Sequence, residues 1–267
     1  MRTQSLALIF ALAGSIPAFG QTPPPAPPAA SSRIWRAGFG YETLWIRDVS
    51  RYGRPVDASP IFWEAAGPAL DVQYDRLTPR SLHRFQFNAS WTGDADLRSP
   101  LRTIPLSADE KAAQLTGGYE YRRYPFRDLG ADGLDVGVGL ATGAVFRTLT
   151  HVYDPAIEVR DRGTDFTLGV VAAGRFRRWQ AFQAEIAWAN GLAVGKTTTS
   201  HSIAVEETVS GWGGGWITDL TIRGDVRLSA AVTAFVSFFT TGRVRTQSHA
   251  ASASGRNQLI AGVVYGR

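Results

Sequence analysis

Residues 133–148 read GLDVGVGLATGAVFRT, and the alternation in this stretch decides the fold. Leu134, Val136, Val138, Leu140, Ala144 and Phe146 fall on one side of an extended chain. Asp135, Gly137, Gly139, Ala141, Gly143 and Arg147 fall on the other. Successive side chains of a strand point to opposite faces, so the segment has one apolar face and one that is charged or small. A soluble sandwich strand alternates as well, so one such stretch decides nothing unless it recurs.

It recurs along the chain. In 34–47, Trp35, Ala37, Phe39, Tyr41, Thr43 and Trp45 oppose Arg36, Gly38, Gly40 and Glu42. Leu70, Val72 and Tyr74 oppose Asp71, Gln73 and Asp75; Phe85, Phe87, Ala89 and Trp91 oppose Arg84, Gln86, Asn88 and Ser90. Leu115, Tyr119 and Tyr121 oppose Gln114, Thr116, Glu120 and Arg122. Further on, Phe166, Leu168 and Val170 oppose Asp165, Thr167 and Gly169, and Phe182, Ile186 and Trp188 oppose Gln183, Glu185 and Ala187. Trp216, Leu220, Ile222 and Val226 oppose Asp219, Thr221, Arg223, Asp225 and Arg227. The stretch 231–243 breaks the rule, because Phe235 and Phe239 stand against Val232, Val236 and Phe238, and a β-bulge is expected there. The last stretch, 257–266, sets Leu259, Ala261, Val263 and Tyr265 on the apolar face. Ten strands result, with eight or twelve as the neighbouring even counts.

Connection lengths test the count independently. Those expected at 78–81, 125–132, 176–178 and 229–230 are mostly short, whereas those at 48–67, 93–111, 149–164, 195–213 and 244–256 are all long. Short and long alternate, as they do in transmembrane barrels with short periplasmic turns and longer external loops. Aromatic spacing agrees. Trp35 and Trp45 share a face ten positions apart, roughly 25 Å along the normal of a tilted strand, which is the height of the apolar band of such a barrel. On the same strand directions Trp91, Trp188 and Trp216 join Trp45 in an outer girdle, and Tyr74, Tyr121, Trp179 and Tyr265 join Trp35 in an inner one. A soluble barrel of lipocalin type would instead put the apolar faces inside.

The first 32 residues carry export signals. Arg2, the apolar run Leu6–Ala13 and Ala18-Phe19-Gly20 make residues 1–20 a cleavable signal peptide, too short in its apolar core to span a membrane. Residues 21–32 are proline-rich and then small and polar, an extended spacer, leaving 33–267 as one barrel domain. The chain has no cysteine, which excludes disulfides, thiol nucleophiles and cysteine metal sites.

About residues 33–267 together resemble a small bacterial outer-membrane β-barrel, in the size class of the ten-stranded omptin proteases and Opc-type adhesins. The resemblance implies an all-β, antiparallel up-and-down barrel in the outer membrane, placed there by the insertion machinery and surrounded by phospholipid and lipopolysaccharide. Such barrels commonly end on an aromatic residue; here Tyr265 keeps the alternation but Gly266 and Arg267 follow it.

The inward face is expected to carry Arg36, Arg84, Arg122, Arg147, Arg175, Arg223 and Arg227 against Glu42, Asp71, Asp75, Glu120, Asp135, Asp165, Glu185, Asp219 and Asp225. Ten strands enclose little more room than the eight that side chains fill, so this network reads as a polar plug rather than a wide pore. The expected function is structural, or binding and adhesion through the long external loops. The alternative is a narrow charge-selective channel. No catalytic, metal or cofactor residue is assigned.

Residues at the outer rim are the candidates for chemistry: Asp94, Asp96, His151, His201 and His249. In omptins, paired acids and an Asp-His pair activate water, and Asp94, Asp96 and His201 would fill those roles, but no Asp-x-His motif occurs here. His201-Ser202 with Glu206 and Glu207 resembles the His-Ser pair of a lipid A deacylase only superficially, and Gly211–Gly215 lacks the Lys and Ser/Thr of a phosphate loop. The net charge of +5 does not point to nucleic acid, because arginines alternate with acids and no basic run occurs. Contact with the phosphates of outer-leaflet lipids is the more natural use of the surplus. Lysine occurs only at Lys111 and Lys196. An external ligand is not legible.

Overall fold

The computed structural model describes residues 32–50, 61–98, 111–126, 132–154, 157–178, 181–203, 205–229, 232–247 and 250–266. The chain runs through ten strands: β1 Ser32–Ser50, β2 Ile61–Leu77, β3 Ser81–Arg98, β4 Lys111–Arg123, β5 Gly133–Asp154, β6 Ile157–Arg178, β7 Phe182–Ile203, β8 Val205–Arg227, β9 Thr233–Gln247 and β10 Ala250–Gly266. Each pairs antiparallel with its sequence neighbours, and β1 pairs with β10 from Ile34↔Gly266 to Ser50↔Ala250, so the barrel closes without a free edge. With an even strand count the start of β1 and the end of β10 lie at the same end of the barrel, the terminal end; the other is the distal end. The leader and spacer expected at 1–20 and 21–32 fall almost wholly outside the described residues.

Polarity within single strands is that of a barrel in lipid. On β6, Leu168 is 64 % exposed and Val170 61 %, while Asp165 and Arg175 are 3 % and 5 % exposed. A soluble barrel would bury the first pair and expose the second, so the lipocalin-type arrangement is excluded. One measurable consequence follows. Val170→Arg, near the middle of the outward apolar band, is expected to cost roughly 2–4 kcal/mol of folding free energy in lipid vesicles. Urea titration of the refolded protein reads this, and an unchanged midpoint would contradict the outward assignment.

The structure departs from the sequence reading in several places. β9 contains no bulge: it pairs in unbroken register with β8 and β10, and Phe235 and Phe239 simply occupy inward positions. Phe235 packs in the lumen against Ala69 and Ile260. Register shifts occur instead at Glu64/Ala66 between β2 and β3 and at Val152/Asp154 between β5 and β6. β2 starts at Ile61 rather than near 68 and carries Pro68 internally. Proline has no N–H for the ladder, and the β2–β3 ladder accordingly skips from Ala66 to Ala69 while Pro68 still sits opposite Tyr41.

The largest departure concerns the distal connections. Those expected at 149–164, 195–213 and 244–256 are mostly strand: β5 runs to Asp154 and β6 starts at Ile157, β7 runs to Ile203 and β8 starts at Val205, and β9 runs to Gln247 and β10 starts at Ala250. The run Gly211–Gly215, expected as a flexible loop, lies inside β8, paired to Thr197–Ala193 of β7. Hydrophobic alternation ends at the edge of the apolar band, but a ladder needs only backbone partners, and β-branched Thr197, Thr198 and Thr199 suit it. The wall is therefore uneven: β4 has 13 residues, whereas β5, β6 and β7 have 22 and β8 has 23.

Candidate functional site

The lumen is the first place where the fold gathers chemistry, and it is layered. At the terminal end Leu77, Leu82 and Tyr124 are buried together with Ile34 beside them, an apolar floor on the β1–β4 side of the lumen. Above this floor lies a network built from strands on opposite sides of the barrel. Arg36 of β1 donates to Asp75 of β2 and to Asp225 of β8, both at 2.7 Å. Arg84 of β3 donates to Asp75 at 2.9 Å and across the lumen to Glu185 of β7 at 2.7 Å. Arg122 of β4 binds Glu120 and donates to Glu185 at 2.9 Å. Arg223 of β8 donates to Glu185 at 2.8 Å and to Gln73 at 3.0 Å. One carboxylate thus receives three guanidinium groups from three strands. Buried charges are tolerable only when paired in this way.

Two further tiers follow toward the distal end. Glu42 accepts from Ser90 at 2.9 Å and from Gln258 at 2.5 Å, and Gln258 exchanges bonds with Asn88. Asp71 accepts from Gln86 at 2.8 Å. Higher still, Asp165 binds Arg243 at 2.5 Å and Arg245 at 3.2 Å. The large side chains project mainly from β1–β4 and β8–β10. The facing wall is small-residue, with Gly137, Gly139, Ala141 and Gly143 on β5 and Ala187, Ala189 and Ala193 on β7, so the long side chains have room to cross. A cavity of about 160 Å³ remains above Arg84, Glu120 and Arg122, lined also by Arg147, Asp219, Arg243 and Arg256. Arg256 stacks on Phe239 at 4.8 Å.

Most inward positions expected from sequence are where the alternation put them. Asp135 and Arg175 are buried near the floor, and Arg175 donates to Gln183 at 2.5 Å. Arg147 and Asp219 line the cavity instead of joining the ion pairs above. Arg227 is a correction: it has inward parity, but β8 ends there, beyond the floor, and its side chain is exposed and donates to the Ser229 carbonyl. Sequence reasoning missed Arg243, Arg245 and Arg256. Once Phe235 and Phe239 are placed inward, Arg243 and Arg245 follow at the same parity; the ambiguity at those two phenylalanines hid them. Arg256 lay one residue outside the expected last strand.

The aromatic positions form belts. At the terminal end Trp35 contacts Tyr74 (ring centroids 4.6 Å apart), Tyr74 contacts Phe85 (6.1 Å), and Phe85 contacts Tyr119 (4.9 Å). His83 joins through Tyr121 at 5.1 Å and through a 2.9 Å hydrogen bond with the Tyr119 hydroxyl. Tyr265 is outward and exposed. On the distal side Trp45 lies over Gly255, where an added Cβ would overlap the indole, and the Trp188 indole donates to Thr218 at 3.0 Å. Trp91 and Trp216 are outward and exposed as expected. Trp179 lies outside the described residues.

The rim residues do not converge in the sheet. Asp94 and Asp96 lie on β3, Asp96 opposite Glu64 of β2. His151, Val159, His201 and Glu207 form one register row across β5, β6, β7 and β8, and Ser202 is opposite Glu206. Three strands separate β3 from β7, so Asp94 and Asp96 share no ladder with His201. Side-chain positions of these residues, and His249 altogether, lie outside the described residues.

No protein-family model matches the chain, and no curated protein matches it. Among solved structures, the outer membrane protease OmpT from Escherichia coli has a TM-score of 0.70 at 7 % identity, covering 88 % of this chain and 97 % of that one. The outer membrane protein OprG from Pseudomonas aeruginosa has a TM-score of 0.48 at 9 % identity, covering 89 % of this chain and 96 % of that one. At such identities the likeness is one of fold. The chain folds as a small bacterial outer-membrane β-barrel, ten-stranded, closed and antiparallel.

Proposed function

We propose that this is an exported outer-membrane barrel that does not conduct solutes and acts through its distal, external hairpins, as a binding or adhesion barrel does. The observation that carries this reading is the Glu185 network, which ties β3, β4, β7 and β8 together across the lumen above an apolar floor. A path for solute would have to break several buried ion pairs, each costly to leave half made. Meanwhile the external wall over β5–β8 is built far higher than an apolar band of about 25 Å requires. In this reading residues 1–20 are removed on export and 21–32 tether the barrel on the periplasmic side, where the terminal end lies. Outward Lys111, Arg162 and Lys196 stand near the distal edge of the band, at the level of lipopolysaccharide phosphates.

The test is planar-bilayer recording on the refolded, heat-modifiable protein. No discrete conductance steps are expected; regular ohmic steps would favour the narrow channel instead. Replacing residues 199–209 by a two-residue turn is expected to leave the heat-dependent gel shift intact, because this segment lies beyond Thr197, the residue that Arg245 of the lumen network holds. Loss of folding in that variant would show that the hairpin serves the barrel and not a partner.

A further inference from the structure

We infer that the periplasmic rim of β1 and β2 binds the headgroup phosphate of an acidic inner-leaflet phospholipid between Arg33 and Arg76. The inference rests on the membrane placement proposed above. Its starting point is a register fact: Arg33 and Arg76 are direct cross-strand partners on the outward face, two positions beyond the paired rings of Trp35 and Tyr74. Like charges directly opposite each other disfavour strand pairing unless something neutralises them. Among the described residues none serves as their counterion. Neither arginine makes an ion pair or side-chain hydrogen bond with a described residue, and Asp75, adjacent in sequence to Arg76, faces the lumen, where Arg36 and Arg84 hold it.

Position identifies what does neutralise them. The ring contacts from Trp35 through Tyr74 and Phe85 to Tyr119 mark the membrane–water interface on β1–β4, because amphipathic rings settle at headgroup level. Two strand residues further out is about 5 Å along the normal, the depth of lipid phosphates. Arg123 stands in the same relation to Tyr121, and Arg80 lies in the turn between β2 and β3. Guanidinium groups bind phosphate oxygens through parallel charge-assisted hydrogen bonds, and their stems lie along the apolar surface while the heads reach the interface. A phosphodiester seated between Arg33 and Arg76 removes the like-charge contact. A phosphatidylglycerol headgroup fits; phosphatidylethanolamine brings an ammonium group into an already cationic rim.

Native mass spectrometry of the full refolded chain, delipidated and then offered equal phosphatidylglycerol and phosphatidylethanolamine, tests this. Retention of phosphatidylglycerol is expected to exceed that of phosphatidylethanolamine on the order of tenfold, and the excess is expected to vanish in Arg33→Gln/Arg76→Gln. Asp219→Asn, in the lumen, should keep it. Should the double variant fail to show the heat-dependent gel shift, Arg76→Gln alone is compared, with a several-fold drop expected. Equal retention of the two lipids by the wild type, undiminished retention by the variants, or displacement of the lipid by millimolar inorganic phosphate would each overturn the inference. A protein that does not insert into vesicles at all would instead overturn the membrane placement, so the two failures are distinguishable.

Discussion

Glu185→Ala is expected to destabilise the barrel by roughly 3–5 kcal/mol, because it leaves Arg84, Arg122 and Arg223 buried around a site with no anion. The carboxylate side chain is 1 % exposed, so water cannot substitute for it without opening the lumen. Two readouts check this. Urea unfolding in detergent should show an earlier midpoint, and bilayers containing the surviving folded fraction should show anion-preferring conductance absent from the wild type. Asp219→Asn is the comparison. Its buried Oδ1 accepts no hydrogen bond and the residue lines the cavity, so its loss should stay within about 1 kcal/mol. Equal effects of the two substitutions would refute the view that Glu185 is the hub of the plug.

The second large effect is expected at the floor. Tyr124 is completely buried against Leu77 and Leu82, and its ring covers Gly137, where an added Cβ would lie 2.7 Å from the tyrosine Cε1. Tyr124→Ala should cost roughly 3–5 kcal/mol through the cavity it leaves. Tyr124→Phe should be near neutral, within about 1 kcal/mol, because the hydroxyl is buried near Arg122 without a hydrogen bond of good geometry. The pair separates packing from polarity. If phenylalanine were as damaging as alanine, the floor would be held by the hydroxyl and not by the ring. Gly137→Val should resemble Tyr124→Ala, since the new side chain claims the space of the ring.

Both effects depend on contacts between residues far apart in the chain, and this marks the limit of sequence reading here. The alternation in 133–148 assigns Asp135 inward and Leu134 outward, and nothing more. That Arg84 reaches Glu185, 101 positions away, follows from barrel diameter, stagger and the small residues on β5 and β7. Tyr124 was legible only as a residue near a turn. Arg243 and Arg245 were hidden because apolar Phe235 and Phe239 occupy inward positions, and a lumen with an apolar patch breaks the polarity rule used to read it. The distal hairpins were missed for the opposite reason: outside the apolar band there is no polarity contrast to read, although the ladder continues.

What the sequence determined by itself is the face that every strand but β9 turns to its surroundings, and hence the ten-stranded barrel, because side-chain direction in a strand is fixed by position parity. What only the tertiary structure decided is which inward groups meet, that Glu185 gathers Arg84, Arg122 and Arg223, and that Arg33 faces Arg76. Those contacts depend on register and on the curvature of a closed sheet, and neither is encoded in the local period of two.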